Sequence, residues 1–110
     1  MIVSLIELTP SPGKRMEILE LLRFAADRLS IKPGCLSCGV YEKTDREEAI
    51  LYVERWGTEE DLRRHIESNL YRAVLNALDL ATDQRQVTFY EVSNTKSMEF
   101  IAGVRSTNEA

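Results

Sequence analysis

The sequence predicts an α+β fold, a four-stranded antiparallel sheet with helices on one face, and three observations carry that expectation. Runs with strand character and runs with helical apolar spacing follow one another in the order β-α-β-β-α-(α)-β. The second and third strand runs are joined by a short polar loop, and spacing that tight makes them antiparallel neighbours. The composition, 44% hydrophobic and 29% charged over 110 residues, is that of one ordinary globular domain.

Met1 to Leu8 opens the series as a β-branched strand, with Ile2, Ile6 and Leu8 on one face and Val3 and Leu5 on the other. A strand apolar on both sides is covered on both sides. Thr9-Pro10-Ser11-Pro12-Gly13 then punctuates, with Ser11 in the form of an N-cap and Pro12 at the first helical position. The first helix spans Pro12 to Leu29 on the stripe Ile18, Leu22, Ala25 and Leu29. Lys32-Pro33-Gly34 turns the chain into a second strand, where Cys38, Val40 and Glu42 alternate with Gly39, Tyr41 and Lys43. Thr44 to Glu48 reads as a hairpin loop and Ala49 to Trp56 as the third strand. Thr58-Glu59-Glu60-Asp61 has the form of a capping box with an acidic first turn, so the second helix starts at Glu59. Ser68-Asn69 marks a break before a third helix carried by Leu70, Ala73, Val74, Ala77 and Leu78, and Gln86 to Val92 closes the series as a fourth strand.

This order is the split β-α-β arrangement of a ferredoxin-like sandwich, whose sheet carries helices on one face only. The other face would expose Leu, Val, Tyr and Trp side chains, a patch too large for a monomer to leave in water. A second copy packed sheet to sheet by two-fold symmetry is the expected cover. Residues 1–94 form the domain and residues 95–110 a C-terminal arm. In that arm Met98, Phe100, Ile101, Ala102 and Val104 read as a further strand at the dimer interface, ahead of a disordered end.

Fourteen basic against eighteen acidic side chains give a net charge of -4, and no Lys/Arg block forms the basic stripe that a nucleic-acid partner requires. No apolar run approaches the ~20 residues that span a bilayer. Met1 to Leu8 lacks the positive n-region and cleavage site of a leader, so the expected location is the cytoplasm with no membrane partner. Two cysteines make no disulfide framework. The single His, the lack of H-x-x-E or H-x-H spacing, and the lack of a P-loop or G-x-G-x-x-G leave no readable metal cage or nucleotide cradle.

Pro33-Gly34-Cys35 running into Tyr41-Glu42, then Tyr52-Val53-Glu54-Arg55-Trp56, Thr58-Glu59-Glu60-Asp61-Leu62 and His65, together resemble the antibiotic biosynthesis monooxygenase family of dimeric α+β barrels. The resemblance covers Met1 to Val92. It implies a homodimer whose protomers each hold a small pocket between sheet and helices, and O₂-dependent oxidation of a small aromatic, anthrone or quinol-like substrate without metal, flavin or other cofactor. Relatives degrade haem or isomerise a small phosphorylated sugar. The haem branch uses a His on the last helix and an Asn on the first strand, but Tyr71 to Leu78 has no His and Leu5 to Leu8 no Asn.

Within that resemblance His65 is the catalytic base, because imidazole titrates nearest neutrality; its alternative is a helical residue with no role. Trp56 either stacks on a planar substrate or fills the core. Asn69, one turn beyond His65 if the second helix continues, would face the same cavity and hold an oxyanion; otherwise it caps the third helix. Tyr71 and Tyr52, like Tyr41 and Tyr90, offer hydroxyls to orient a phenol, while Tyr41 and Tyr52 also read as a cross-strand aromatic pair. Glu54, a carboxylate in mid-strand, needs a partner or a raised pKa, and an Arg across the dimer is the expected partner. Cys35-x-x-Cys38 opens a strand rather than a helix and has no second pair, so it reads as structural. An isomerase-like member acting on a small carbonyl metabolite and a non-catalytic ligand-binding dimer remain alternatives to the monooxygenase.

Overall fold

Alternating burial in β1 (Ile2–Pro10) and β3 (Ile50–Trp56) sets the architecture, since each strand turns every second side chain inward. A computed structural model describes residues 1–44 and 48–109, the last two by backbone only. The remaining elements are α1 (Arg15–Leu29), β2 (Cys35–Glu42), α2 (Glu59–Glu67), α3 (Tyr71–Asp79), β4 (Ala81–Glu91) and α4 (Met98–Glu109). The sheet order is β2-β3-β1-β4 with every pairing antiparallel, which inserts β3 between β1 and β2 as in a ferredoxin-like sandwich.

The core lies between the sheet and α1 and α3, where Ile6, Leu8, Ile50 and Tyr52 meet Ile18, Leu22, Val74 and Ala77. A second cluster of Ile2, Leu29, Trp56 and Leu62 fills the end of the sheet nearest α2. Burying each large side chain contributes about 1.5–3 kcal/mol, so both clusters weigh in holding the helices to this face. On the other face Val3, Leu5, Leu51 and Val53 are half-buried, and Tyr41 and Tyr90 are exposed.

Several local expectations are corrected. The first helix begins at Arg15, not Pro12, because Gly13 takes a positive φ of 78° and Lys14 N–H closes a turn onto Ser11 C=O. Ser11 therefore caps nothing, and its N–H bonds Leu80 C=O at 3.0 Å. The second strand starts at Cys35, with a register shift between Cys35 and Ser37 that turns both cysteines toward the helices. Tyr41 and Tyr52 are not a cross-strand pair: Tyr41 opposes Leu51 on the open face, while Val40 opposes Tyr52 on the inner one. The fourth strand starts at Ala81, five residues ahead of Gln86, since its first half is a polar edge without apolar alternation. The hairpin loop expected at Thr44 to Glu48 lies largely outside the described residues.

The largest correction is the arm. Met98 to Glu109 is helical rather than a strand, and Phe100, Ile101 and Val104 follow helical spacing, not a period of two. This helix stands off the body, and the molecule measures 55 × 35 × 21 Å. Among the described residues no helix is long and apolar enough to cross a membrane.

Candidate functional site

The inward alternation of β3 brings Tyr52, Glu54 and Trp56 to the helix side in one row. Opposite them α2 starts where Thr58 Oγ1 accepts the Asp61 N–H at 3.2 Å, and its acidic first turn sits on the positive end of the helix dipole. The helix thus runs back over the end of the sheet and lowers His65 onto the row.

Glu54 ties the group together. Its Oε1 accepts the Trp56 Nε1–H at 2.9 Å, and its Oε2 lies 2.9 Å from His65 Nε2. Glu54 is 1% exposed and His65 4%. The imidazole stacks on Trp56 with ring centres 5.0 Å apart and meets the edge of Tyr71 at the same separation. A carboxylate can only accept, so in the neutral ring Nε2 carries the hydrogen and Nδ1 keeps its lone pair. That Nδ1 is buried and has no hydrogen-bond partner among the described residues, and the same holds for the Tyr52 hydroxyl.

The weak acids around Glu54 are all held protonated. Burial, followed by the Glu54 charge, pushes the Tyr71 hydroxyl up to about 12 and drives the Tyr52 hydroxyl far above its ordinary value. Burial likewise raises the Cys38 thiol to about 12, and it raises Cys35 with Glu54 adding to the effect. Both thiols are neutral and poor nucleophiles. Among the described residues no three His, Cys, Asp or Glu side chains gather as a metal-holding group.

From the sequence Trp56, Tyr71, Tyr52 and Glu54 are substrate-binding candidates and His65 the catalytic one; the structure brings the five side chains into one group. It differs on two points. Glu54 bonds His65 and Trp56 of its own chain, not an arginine; the adjacent Arg55 faces the other way and donates to Ser37 Oγ. Asn69 does not face His65, because α2 ends at Glu67 and Ser68 turns extended with ψ 159°. Asn69 is exposed beside α1, near Glu17, Glu20 and Phe24, and α3 has no side-chain cap.

One feature of the site escaped the sequence. A groove of about 560 Å³ runs between α2 and β4, floored by Ile2, Leu62, Ile66 and Phe89 and rimmed by Glu59, Arg63, Glu67 and Glu91. Ile2 and Leu62 also belong to the cluster around Trp56, the residue bonded to Glu54 and stacked on His65. Its signal in the sequence is Phe89, an aromatic residue on an edge strand whose first half is polar.

The profile of the antibiotic biosynthesis monooxygenase family matches residues 1–77. The chain belongs to that family. Its fold recurs in solved structures described under the same family name. One from Deinococcus radiodurans has 23% identity and a TM-score of 0.77, covering 88% of this chain and 97% of that one. One from Nitrosomonas europaea has 18% identity and a TM-score of 0.75, covering 86% and 100%. SnoaB from Streptomyces nogalater, described as a cofactor-independent oxygenase, has 14% identity and a TM-score of 0.71, covering 86% and 94%. No curated protein matches the chain.

Proposed function

We propose that this family member is a homodimeric, cofactor-independent monooxygenase acting on a small aromatic, anthrone or quinol-like substrate with O₂. The observation that carries this reading is the orphaned Nδ1 of His65, buried and fixed as a lone-pair acceptor by the Glu54 bond at Nε2. A base of this kind contributes about 10²–10⁴-fold to a proton transfer.

The chemistry follows from what such a base starts. Nδ1 takes the acidic proton of an anthrone-like substrate, leaving an electron-rich anion that passes one electron to O₂. The substrate radical and superoxide join through a C–O bond, and the resulting peroxide loses water to leave a carbonyl. One oxygen atom enters the substrate and the other leaves as water. The substrate CH₂ supplies all four electrons, so no outside reductant is needed. Trp56, already stacked on the imidazole, offers a planar wall, while the protonated Tyr52 and Tyr71 hydroxyls orient the phenolic oxygen. The α2–β4 groove lies beside this group of side chains.

Oxygen consumption with a panel of anthrones and quinols tests this. Uptake by the wild type, reduced about 10²-fold or more in His65→Ala, is the expected result. Turnover of a carbonyl substrate without oxygen uptake would replace the reading with an isomerase, and binding without turnover would replace it with a ligand-binding module.

A further inference from the structure

The helix α4 is amphipathic, and all of its side chains among the described residues are exposed. Phe100, Ile101 and Val104 share one side of it and are 45–58% exposed, and Met98 at its start is 81% exposed. An isolated helix of 12 residues is marginal in water, so one that persists does so by burying its apolar side. The total surface agrees: 7584 Å² against about 6,200 Å² for a folded monomer of this mass. That excess is larger than the roughly 800 Å² each partner buries in a standard stable interface.

The α2–β4 groove is the matching receptor. Ile66 and Phe89 on its floor are 39% and 46% exposed, and its rim is acidic through Glu59, Glu67 and Glu91. Arg63, the one basic rim residue, is already engaged by Glu59 at 2.7 Å. The arm carries Lys96 just ahead of the helix and Arg105 beside Ile101, which complement that rim. Val92 N–H is fixed to Met1 C=O at 2.8 Å, and among the described residues none of α4 lines the groove of its own chain.

We propose that α4 is an exchanged arm: its Phe100–Ile101–Val104 stripe docks in the α2–β4 groove of a second copy and roofs the cavity beside that copy's Glu54–His65 pair. Each site is then completed by the other chain. The docking rests on exposed surface and not on the reaction, so its failure and that of the monooxygenase reading are separate results.

A disulfide reports the exchange directly. In full-length protein carrying Cys35→Ser and Cys38→Ser, the pair Ile66→Cys and Val104→Cys is oxidised and run without reductant. The expected product is a covalent dimer at twice the 12.6 kDa chain mass. A bridged monomer would place the arm in its own groove, and the absence of any bridge would remove it from the groove; either overturns the proposal. As an independent measurement, Phe100→Asp with Val104→Asp, in the otherwise natural chain, is expected to raise the dimer dissociation constant by at least tenfold in sedimentation. An unchanged constant overturns it as well.

Discussion

Glu54 on β3 and His65 on α2 share a hydrogen bond of 2.9 Å although they stand eleven positions apart in the chain. The strand end, the Thr58 cap and two turns of helix are what close that distance. With the imidazole neutral, the bond places the ring hydrogen on Nε2 and leaves the lone pair on Nδ1. In the proposed reaction Glu54 is a positioning residue, acting on a substrate only through the ring it holds.

Glu54→Gln tests that role. A glutamine keeps the shape, but while its oxygen accepts from Trp56 its amide must donate to Nε2, which moves the ring hydrogen to Nδ1. In serine proteases, replacing the triad carboxylate by its amide forces the same inversion of tautomer and costs about 10⁴ in kcat. The expected outcome here is a fall in kcat of about 10²–10⁴-fold with KM nearly unchanged, measured by oxygen uptake. An equal rise in KM would mean that Glu54 binds substrate directly.

Trp56→Phe removes the N–H that satisfies Glu54 Oε1 and leaves a buried carboxylate oxygen without a donor. The expected loss is about 1–3 kcal/mol of unfolding free energy, read as a lower urea midpoint. Glu54→Ala goes further, since it strands both the Trp56 Nε1–H and the His65 Nε2–H, each at a cost of about 1–3 kcal/mol.

Gly34→Ala is expected to destabilise by about 1–3 kcal/mol. Gly34 has φ 87°, and a Cβ there would collide with the Asp61 side chain at the start of α2. Because Gly34 C=O also receives the Gly57 N–H, the loop and the helix that carries His65 shift together. Thermal melting gives the stability, and kcat in the same variant shows whether His65 has moved.

Alkali should unfold the protein early. Tyr71 and Cys38 titrate near 12 in the fold, against ordinary values of 10.0 and 9.0, so the unfolded chain loses its protons first. Stability from these groups is complete below pH 9 and falls as pH rises from 9 to 12. For Tyr71 the slope is up to about 1.4 kcal/mol per pH unit above its ordinary value. Urea midpoints at pH 8, 10 and 11 measure the decline, and Tyr71→Phe should flatten it between 10 and 12.

Much of this arrangement is legible in the sequence because it follows short-range periodicity. The alternation Tyr52, Glu54, Trp56 shows which side chains share a face, and Thr58-x-x-Asp61 shows where α2 begins. A carboxylate in mid-strand signals that some partner exists, but naming His65 needs the angle at which helix meets sheet. Asn69 misleads because helical spacing extrapolates one turn too far, past a break set by the backbone of Ser68. The arm misleads because Phe100, Ile101 and Ala102 in sequence suit a strand as well as a helix. The early start of β4 is silent because pairing to β1, not apolar character, holds Ala81 in the sheet.

On β3, the residues between those that build the site, Leu51, Val53 and Arg55, point to the opposite face of the sheet. Two surfaces therefore lie back to back along seven residues, interleaved in sequence yet separated in space by the thickness of one backbone. Substitutions at even-numbered positions can retune chemistry while those at odd-numbered positions retune whatever covers the open face, each set drifting without disturbing the other. A one-residue insertion within β3 has the contrary effect, turning both surfaces inside out at once.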